Sequence, residues 1–186
     1  MQTRQAVLKP KGRKAPYLGP VVRVAGVRLS PGDQEAGLKA LINGAGLKDT
    51  DGHGLLEQGT DPATMWLGAW SPDLKLEFEF SRAVPLAAME VWNFNAEWET
   101  ANAIRKADVA VSADGSTWQT VLAGAELAEA EGTADYDMPV LLKLGGVVAR
   151  KVRLENIVSW GGSGKVGLSA VVFHQSPAGP RRANGR

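Results

Sequence analysis

The stretch "LKLEFEF" (residues 74–80) alternates without a break, with Leu74, Leu76, Phe78 and Phe80 on one side and Lys75, Glu77 and Glu79 on the other. A period of two sends successive side chains to opposite faces of an extended chain, so this segment can bury one face and wet the other. A helix, repeating every 3.6 residues, would scatter the same residues around its surface. Half-buried antiparallel sheet is the arrangement that fits.

Runs of the same kind recur. "VVRVAGVRL" (21–29), "LAAMEVWN" (86–93), "VLLKL" (140–144), "RKVRLENI" (150–157) and "VGLSAVVFH" (166–174) read as strands. "ADVAVSADGSTWQTVL" (107–122) reads as strand, turn at Asp114-Gly115, strand, and Gly145-Gly146 marks another turn. Helical turns are suggested only at "AGLKALING" (36–44) and in the Ala/Glu-rich stretch 123–131. Many short strands with almost no amphipathic helix predict an all-β chain, a β-sandwich or jelly roll. No internal repeat is visible.

With 186 residues, 44% of them hydrophobic, the chain can bury one sizeable core. We read a basic arm at 1–20, a β-sandwich at 21–174 and a basic tail at 175–186. Arg4, Lys9, Lys11, Arg13, Lys14, Arg181, Arg182 and Arg186 lie in these ends without a single acid, leaving 13 basic residues against 20 acids in the body. Such arms favour an anionic partner, and the acidic body of a neighbouring copy is one candidate. Nucleic acid is disfavoured for the body itself, because its tryptophans sit among negative charge.

The absence of cysteine excludes disulfides, Cys-based zinc sites and cysteine nucleophiles. The first residues lack the apolar stretch of a secretory signal, and no run reaches bilayer-spanning length, so no membrane insertion is expected. A module trimmed of a signal would be extracellular; a full-length chain would belong to a virion or assembly surface.

Catalysis has little raw material. Of two histidines, His174 ends a strand and reads as structural or merely exposed, while His53 lies among acids and glycines in "KDTDGHG". A hydrolase would have to use Asp49 or Asp51 with a second carboxylate, a pairing that leaves no sequence signature. "GGSGK" (161–165) lacks the spacing of a phosphate loop and precedes a strand instead of a helix.

Six tryptophans stand out. Trp66, Trp92 and Trp118 are expected in the core, Trp92 and Trp118 because they fall inside strand patterns. Trp70, Trp98 and Trp160 sit in or beside loops of small and polar residues, "GAWSPD", "NAEWET" and "VSWGGSG". Indole faces stack on sugar rings while nearby amides and carboxylates bind hydroxyls, although each ring could equally cap a sandwich end by local packing. The irregular stretch 43–64 is long for a structureless connection, which points to function or a bound metal.

Taken in order, "LINGAGL", "TDPATMWLGAW", "LKLEFEF", "MEVWNFN", "ADVAVSADGSTWQTV", "GGVVARKVRLENI" and "GLSAVVF" resemble discoidin-like domains, the coagulation-factor C-type and galactose-binding-like modules that include family 32 carbohydrate-binding modules. The resemblance spans about 36–174. It implies a galactose-binding-like jelly roll of about eight antiparallel strands, non-catalytic, with ligand loops at one end. It places ligand contacts at Asn93, Asn95, Trp98 and Trp160; Trp70 and His53 join them from the loop argument. It also implies a structural calcium ion near Asn43, Asp49 and Asp51. The family often carries a glutamate ligand in its final strand, where this chain has Ala170, and that departure weakens the calcium expectation. Two readings follow: a module gripping a glycan, or a structural subunit, such as a virion decoration, tail or surface-layer protein, that contacts neighbouring copies or other subunits through 1–20 and 175–186.

Overall fold

The computed structural model describes residues 18–32, 37–50, 52, 54–161 and 163–177. The greater part of the basic ends, together with Asp51 and His53, lies outside the described residues. In chain order the elements are β1 (Val21–Val22), β2 (Gly26–Ser30), the short helix α1 (Ala40–Asn43), β3 (Leu47–Lys48), β4 (Glu57–Gln58), β5 (Trp66–Ala69), β6 (Lys75–Asn93), β7 (Ile104–Ser112), β8 (Gln119–Glu126), β9 (Val140–Ser159) and β10 (Lys165–Gln175). Among the described residues no helix is long and apolar enough to cross a membrane.

The strands are antiparallel and follow the order β1-β10-β6-β9-β7-β8, with β2 also on β6 and β5 also on β10. Two strands serve both layers of a sandwich. The first part of β6 pairs β2 and the second half of β9, for example Phe78 with Val27 and Val152. Its second part pairs β10 and the first half of β9, for example Met89 with Phe173 and Leu142. Register breaks between Glu79 and Val84 mark the corner where β6 passes from one layer to the other. The two runs expected at 74–80 and 86–93 are thus one strand of 19 residues, and those at 140–144 and 150–157 are one of 20. The turn expected at Gly145-Gly146 is instead strand, with both glycines at positive φ.

The alternation of 74–80 does what its period demands. Leu76, Phe78 and Phe80 are sealed, and Phe173 of the facing layer meets Phe78 and Phe80 edge-on at centroid distances of 5.4 and 5.1 Å. Burying each such side chain contributes about 1.5–3 kcal/mol, which is why the pattern dictates the fold. On the wet face Glu77 and Glu79 face Arg153 and Arg28.

Three expectations change. Trp118 is only half buried, lying 4.0 Å from the guanidinium of Arg153 on the outer face, because β8 begins only at Gln119 and leaves it in the preceding turn. Residues 123–126 are strand, not helix: β8 pairs β7 along its length, and Asp108 accepts the N–H of Gly124, a glycine at φ 61°. The stretch 43–64 is no structureless loop either, since β3 and β4 pair within it and Pro62–Thr64 forms a 3₁₀ turn capped by Asp61.

Candidate functional site

One end of the sandwich gathers the loops that carry the exposed indoles. β6 and β9 finish here, β7 and β10 begin here, and the chain returns from β8. The loops are bonded to one another: the Trp160 N–H donates to Ala103 O (3.0 Å), Gly161 N–H to Ala101 O (2.7 Å), Trp70 N–H to Gly164 O (2.9 Å), and the Ser163 hydroxyl meets Asn102 Oδ1 at 2.5 Å.

Within this end Trp70 and Trp160 are half exposed, and each has its indole N–H tied to a backbone carbonyl, Ile157 O at 2.7 Å and Leu127 O at 3.1 Å. These bonds fix the ring edges and leave part of each ring uncovered. Trp98 differs in degree, being 93% exposed. It occupies the third position of a turn closed by Glu99 N–H to Ala96 O (3.1 Å), and its φ is 67°. That left-handed conformation favours glycine; a bulky side chain there costs about 1–2 kcal/mol. The sequence therefore places its largest apolar side chain where neither burial nor backbone preference rewards it.

Asn93 and Asn95 correct an expectation. Both are completely buried. The Asn93 amide donates to Ile104 O and Ala128 O (both 2.7 Å), and its oxygen accepts the N–H groups of Phe94 (3.1 Å) and Ile104 (3.0 Å). The Asn95 amide donates to Gln58 O (3.0 Å), Gly59 O (3.1 Å) and Thr133 O (2.7 Å), and its oxygen accepts Gly132 N–H (2.8 Å). An amide offers two donors and two acceptor lone pairs, so Asn93 is fully used and Asn95 keeps a single lone pair; sealed from solvent, neither reaches a ligand. They are internal staples: Asn93 holds the start of β7 to the return from β8, and Asn95 holds 58–59 to 132–133. The stretch 43–64 is thus tied down by Asn95 and by Gln58 N–H to Tyr136 O (2.8 Å).

Two of the residues expected near a calcium ion make hydrogen bonds of their own. Asn43 Oδ1 accepts Ala45 N–H (2.9 Å) and Asp49 Oδ2 accepts Gly54 N–H (3.0 Å), both at exposed positions. Ala170, where the family often has glutamate, is buried in an apolar cluster with Trp92, Ala130 and Tyr136. Calcium takes six to eight oxygens. Among the described residues no group of three or more acidic or histidine side chains is placed to hold a metal. Asp51 and His53, the remaining candidates of that loop, lie outside the described residues. His174 is structural: its ring nitrogens meet Glu90 Oε2 at 3.1 Å and Gly19 O at 3.2 Å.

Sequence reasoning missed the carboxylates of this end. Thr100 donates its hydroxyl to Glu129 Oε1 (2.9 Å) and Asn102 its amide to Glu99 Oε2 (3.4 Å). The position of a Cβ on Gly132 would lie 3.1 Å from Thr100 Cγ2 and 3.9 Å from Glu97 Cα, so 97–100 lies against 129–132. Exposed Glu97 and Glu99 are thus the chain neighbours of Trp98, and exposed Glu129 and Glu131 lie on the segment packed against 97–100. The signal was present: residues 94–104 and 127–142 contain no Lys, Arg or His.

A model of the F5/8 type C domain family matches residues 45–172. No curated protein matches the chain by sequence. Among solved structures, a pectin binding carbohydrate binding module is similar over 86% of this chain and 96% of its own, with TM-score 0.55 and 16% identity. A family 32 module, CBM32-3 from a family 31 glycoside hydrolase of Clostridium perfringens, is similar over 84% and 95%, with TM-score 0.57 and 12% identity. The CBM32 of AlyQ, solved with 4,5-unsaturated mannuronic acid, is similar over 84% and 99%, with TM-score 0.52 and 13% identity. At these identities the likeness is one of fold.

Proposed function

Since the chain belongs to the F5/8 type C domain family, we propose that it is a non-catalytic glycan-binding module in which Trp98, flanked by Trp160 and Trp70, takes the face of a sugar ring. The observation that carries this reading is Trp98 itself, 93% exposed and at φ 67°. Strain of that kind persists only where the surrounding structure enforces it, and it concentrates at binding sites. The buried bonds of Asn93 and Asn95 supply the enforcement. Among modules of similar fold, one is described as pectin binding and others were solved with an unsaturated mannuronic acid and with GalNAc-β-1,3-galactose, which supports the class of ligand and leaves the sugar open.

Stacking contributes about 0.5–1.5 kcal/mol beyond area burial, so affinity is modest. Titration of a glycan panel against the protein and its Trp98→Ala and Trp160→Ala variants tests the proposal. Both variants lose binding, Trp98→Ala while keeping the parent's thermal midpoint; unchanged binding in both places the site elsewhere.

A subunit role is a second reading, favoured by where the ends leave the body. Gln175 N–H donates to Pro20 O (2.8 Å), so the roots of both basic ends lie together. They do so at the far end of β10, roughly 33 Å from Lys165 at the indole end for ten residues of strand. Deleting 1–17 and 178–186 separates the two roles: glycan binding survives the deletion, and an oligomer built through the ends does not.

A further inference from the structure

We infer that the Trp98 site selects cationic, amino-bearing glycans over neutral ones and rejects uronates, a specificity that rests on the glycan-binding reading above. The indole supplies a ring face that is indifferent to the sugar's charge. Its surroundings are not. Glu97 and Glu99 flank it in sequence, and Glu129 and Glu131 reach the same place from the return after β8, with Glu129 joined to Thr100 at 2.9 Å. The two segments that form this corner, 94–104 and 127–142, hold six carboxylates and no basic residue. Basic residues enter only beyond these segments: Arg105 follows the corner on β7, and Lys165 begins β10 beside Ala69 and Trp70. Trp70 thus lies beside a lysine, whereas the chain neighbours of Trp98 are two glutamates.

A sugar stacked on Trp98 stands within the roughly 10 Å over which exposed charges act at ordinary ionic strength. An ammonium on that sugar is drawn to the carboxylates and also to the indole face itself. A carboxylate on the sugar is repelled by every one of the four glutamates, so a uronate-rich polymer is the wrong ligand for this corner. Thr100, which lies beside Glu129, remains as a neutral partner for hydroxyls.

The test measures binding of three tetrasaccharides to the whole chain by calorimetry, at low and high salt and at a pH where the sugar amine is protonated: β-1,4-linked glucosamine, its N-acetylated counterpart, and galacturonate. The glucosamine tetrasaccharide binds at least about tenfold tighter than the acetylated one at low salt, and the gap closes as salt shortens the screening length. Replacing Glu97, Glu99, Glu129 and Glu131 together by Gln, which keeps the hydrogen-bonding oxygens, abolishes the gap while binding of the acetylated sugar persists. Trp98→Ala loses both sugars. Equal affinity for all three, or preference for galacturonate, in a Trp98-dependent manner overturns the charge selection and leaves the module standing. Glucosamine binding that Trp98→Ala does not weaken overturns it too, since the acidic surface alone is then responsible. Failure of the parent to bind any of the three and any glycan of a wider panel removes the module itself.

Discussion

The two ends of the sandwich are closed by different means. At the β7–β8 turn, Asp114 does the work within its own neighbourhood: its carboxylate accepts the N–H groups of Ser116 (2.8 Å) and Thr117 (2.7 Å) and the hydroxyls of Ser112 (3.0 Å) and Thr117 (2.8 Å), none more than three residues away. At the indole end, Asn93 reaches Ile104, 11 residues on, and Ala128, 35 on, Asn95 binds groups 36 to 38 residues distant, and Ser169, which accepts Asn95 N–H and donates to Asn93 O, is 74 and 76 residues away. A turn that satisfies itself can be built anywhere. A rim held by distant partners has its shape imposed on it, and can therefore present a side chain in a conformation its own sequence would not choose.

The sharpest break of that contrast is at the rim's foundation. Trp92, sealed against Tyr136 at 5.6 Å, and Trp98 lie six residues apart, yet Trp92→Ala is expected to cost about 3–5 kcal/mol in chemical denaturation. Asn95→Ala strands three backbone groups, Gln58 O, Thr133 O and Gly132 N–H, and is expected to cost at least about 3 kcal/mol, at about 1–3 kcal/mol for each buried group left unpaired. It also weakens glycan binding, because the loops beneath Trp98 loosen; binding at parental strength in a folded Asn95→Ala protein breaks the link between staple and rim.

Trp98 itself is expected to show the opposite signature. Trp98→Ala leaves stability within about 0.5 kcal/mol, as surface changes do, whereas Trp98→Gly raises it by about 1 kcal/mol because glycine accepts positive φ. Both abolish sugar binding. A destabilised Trp98→Gly denies that the backbone is strained there.

Acid acts at the other end. Hydrogen bonds from the backbone of Ser116 and Thr117, then from the Thr117 and Ser112 hydroxyls, hold the Asp114 carboxyl below its usual range, and those of Asn156 and Gly124 do the same for Asp108. A carboxyl lowered in the folded state contributes stability above its unfolded value, and this is lost as pH falls through the folded one. Asp114→Asn therefore flattens the acid limb of a stability–pH profile without changing glycan affinity. The smallest effect is expected of calcium: with Ala170 where the family often has a glutamate, millimolar calcium or a chelator is expected to shift the thermal midpoint by less than about 1 °C, whereas a larger shift reports an ion bound by the folded chain.

Legibility followed the same division. The alternation at 74–80, the Asp114-Gly115 turn and the burial of Trp66 and Trp92 were readable because each depends on neighbours a few residues off. So was the solvent exposure of Trp70, Trp98 and Trp160, which follows from the small and polar residues around them. The asparagines were misread because "VWNFNAEW" looks the same whether its amides face water or fold inward. Their partners, Ala128, Gln58, Gly59 and Thr133, carry no mark in sequence, since a backbone carbonyl belongs to every residue type. Trp118 failed for a related reason: a tryptophan next to a strand is written identically on either face.

What the sequence determined alone was the period of its strands, hence a two-layered antiparallel sandwich, because burying alternate apolar side chains has no other economical solution. What only the tertiary structure decided was which polar groups are spent inside and which aromatic ring is left outside. That choice depends on contacts between segments dozens of residues apart, and distance along a chain says nothing of direction in space.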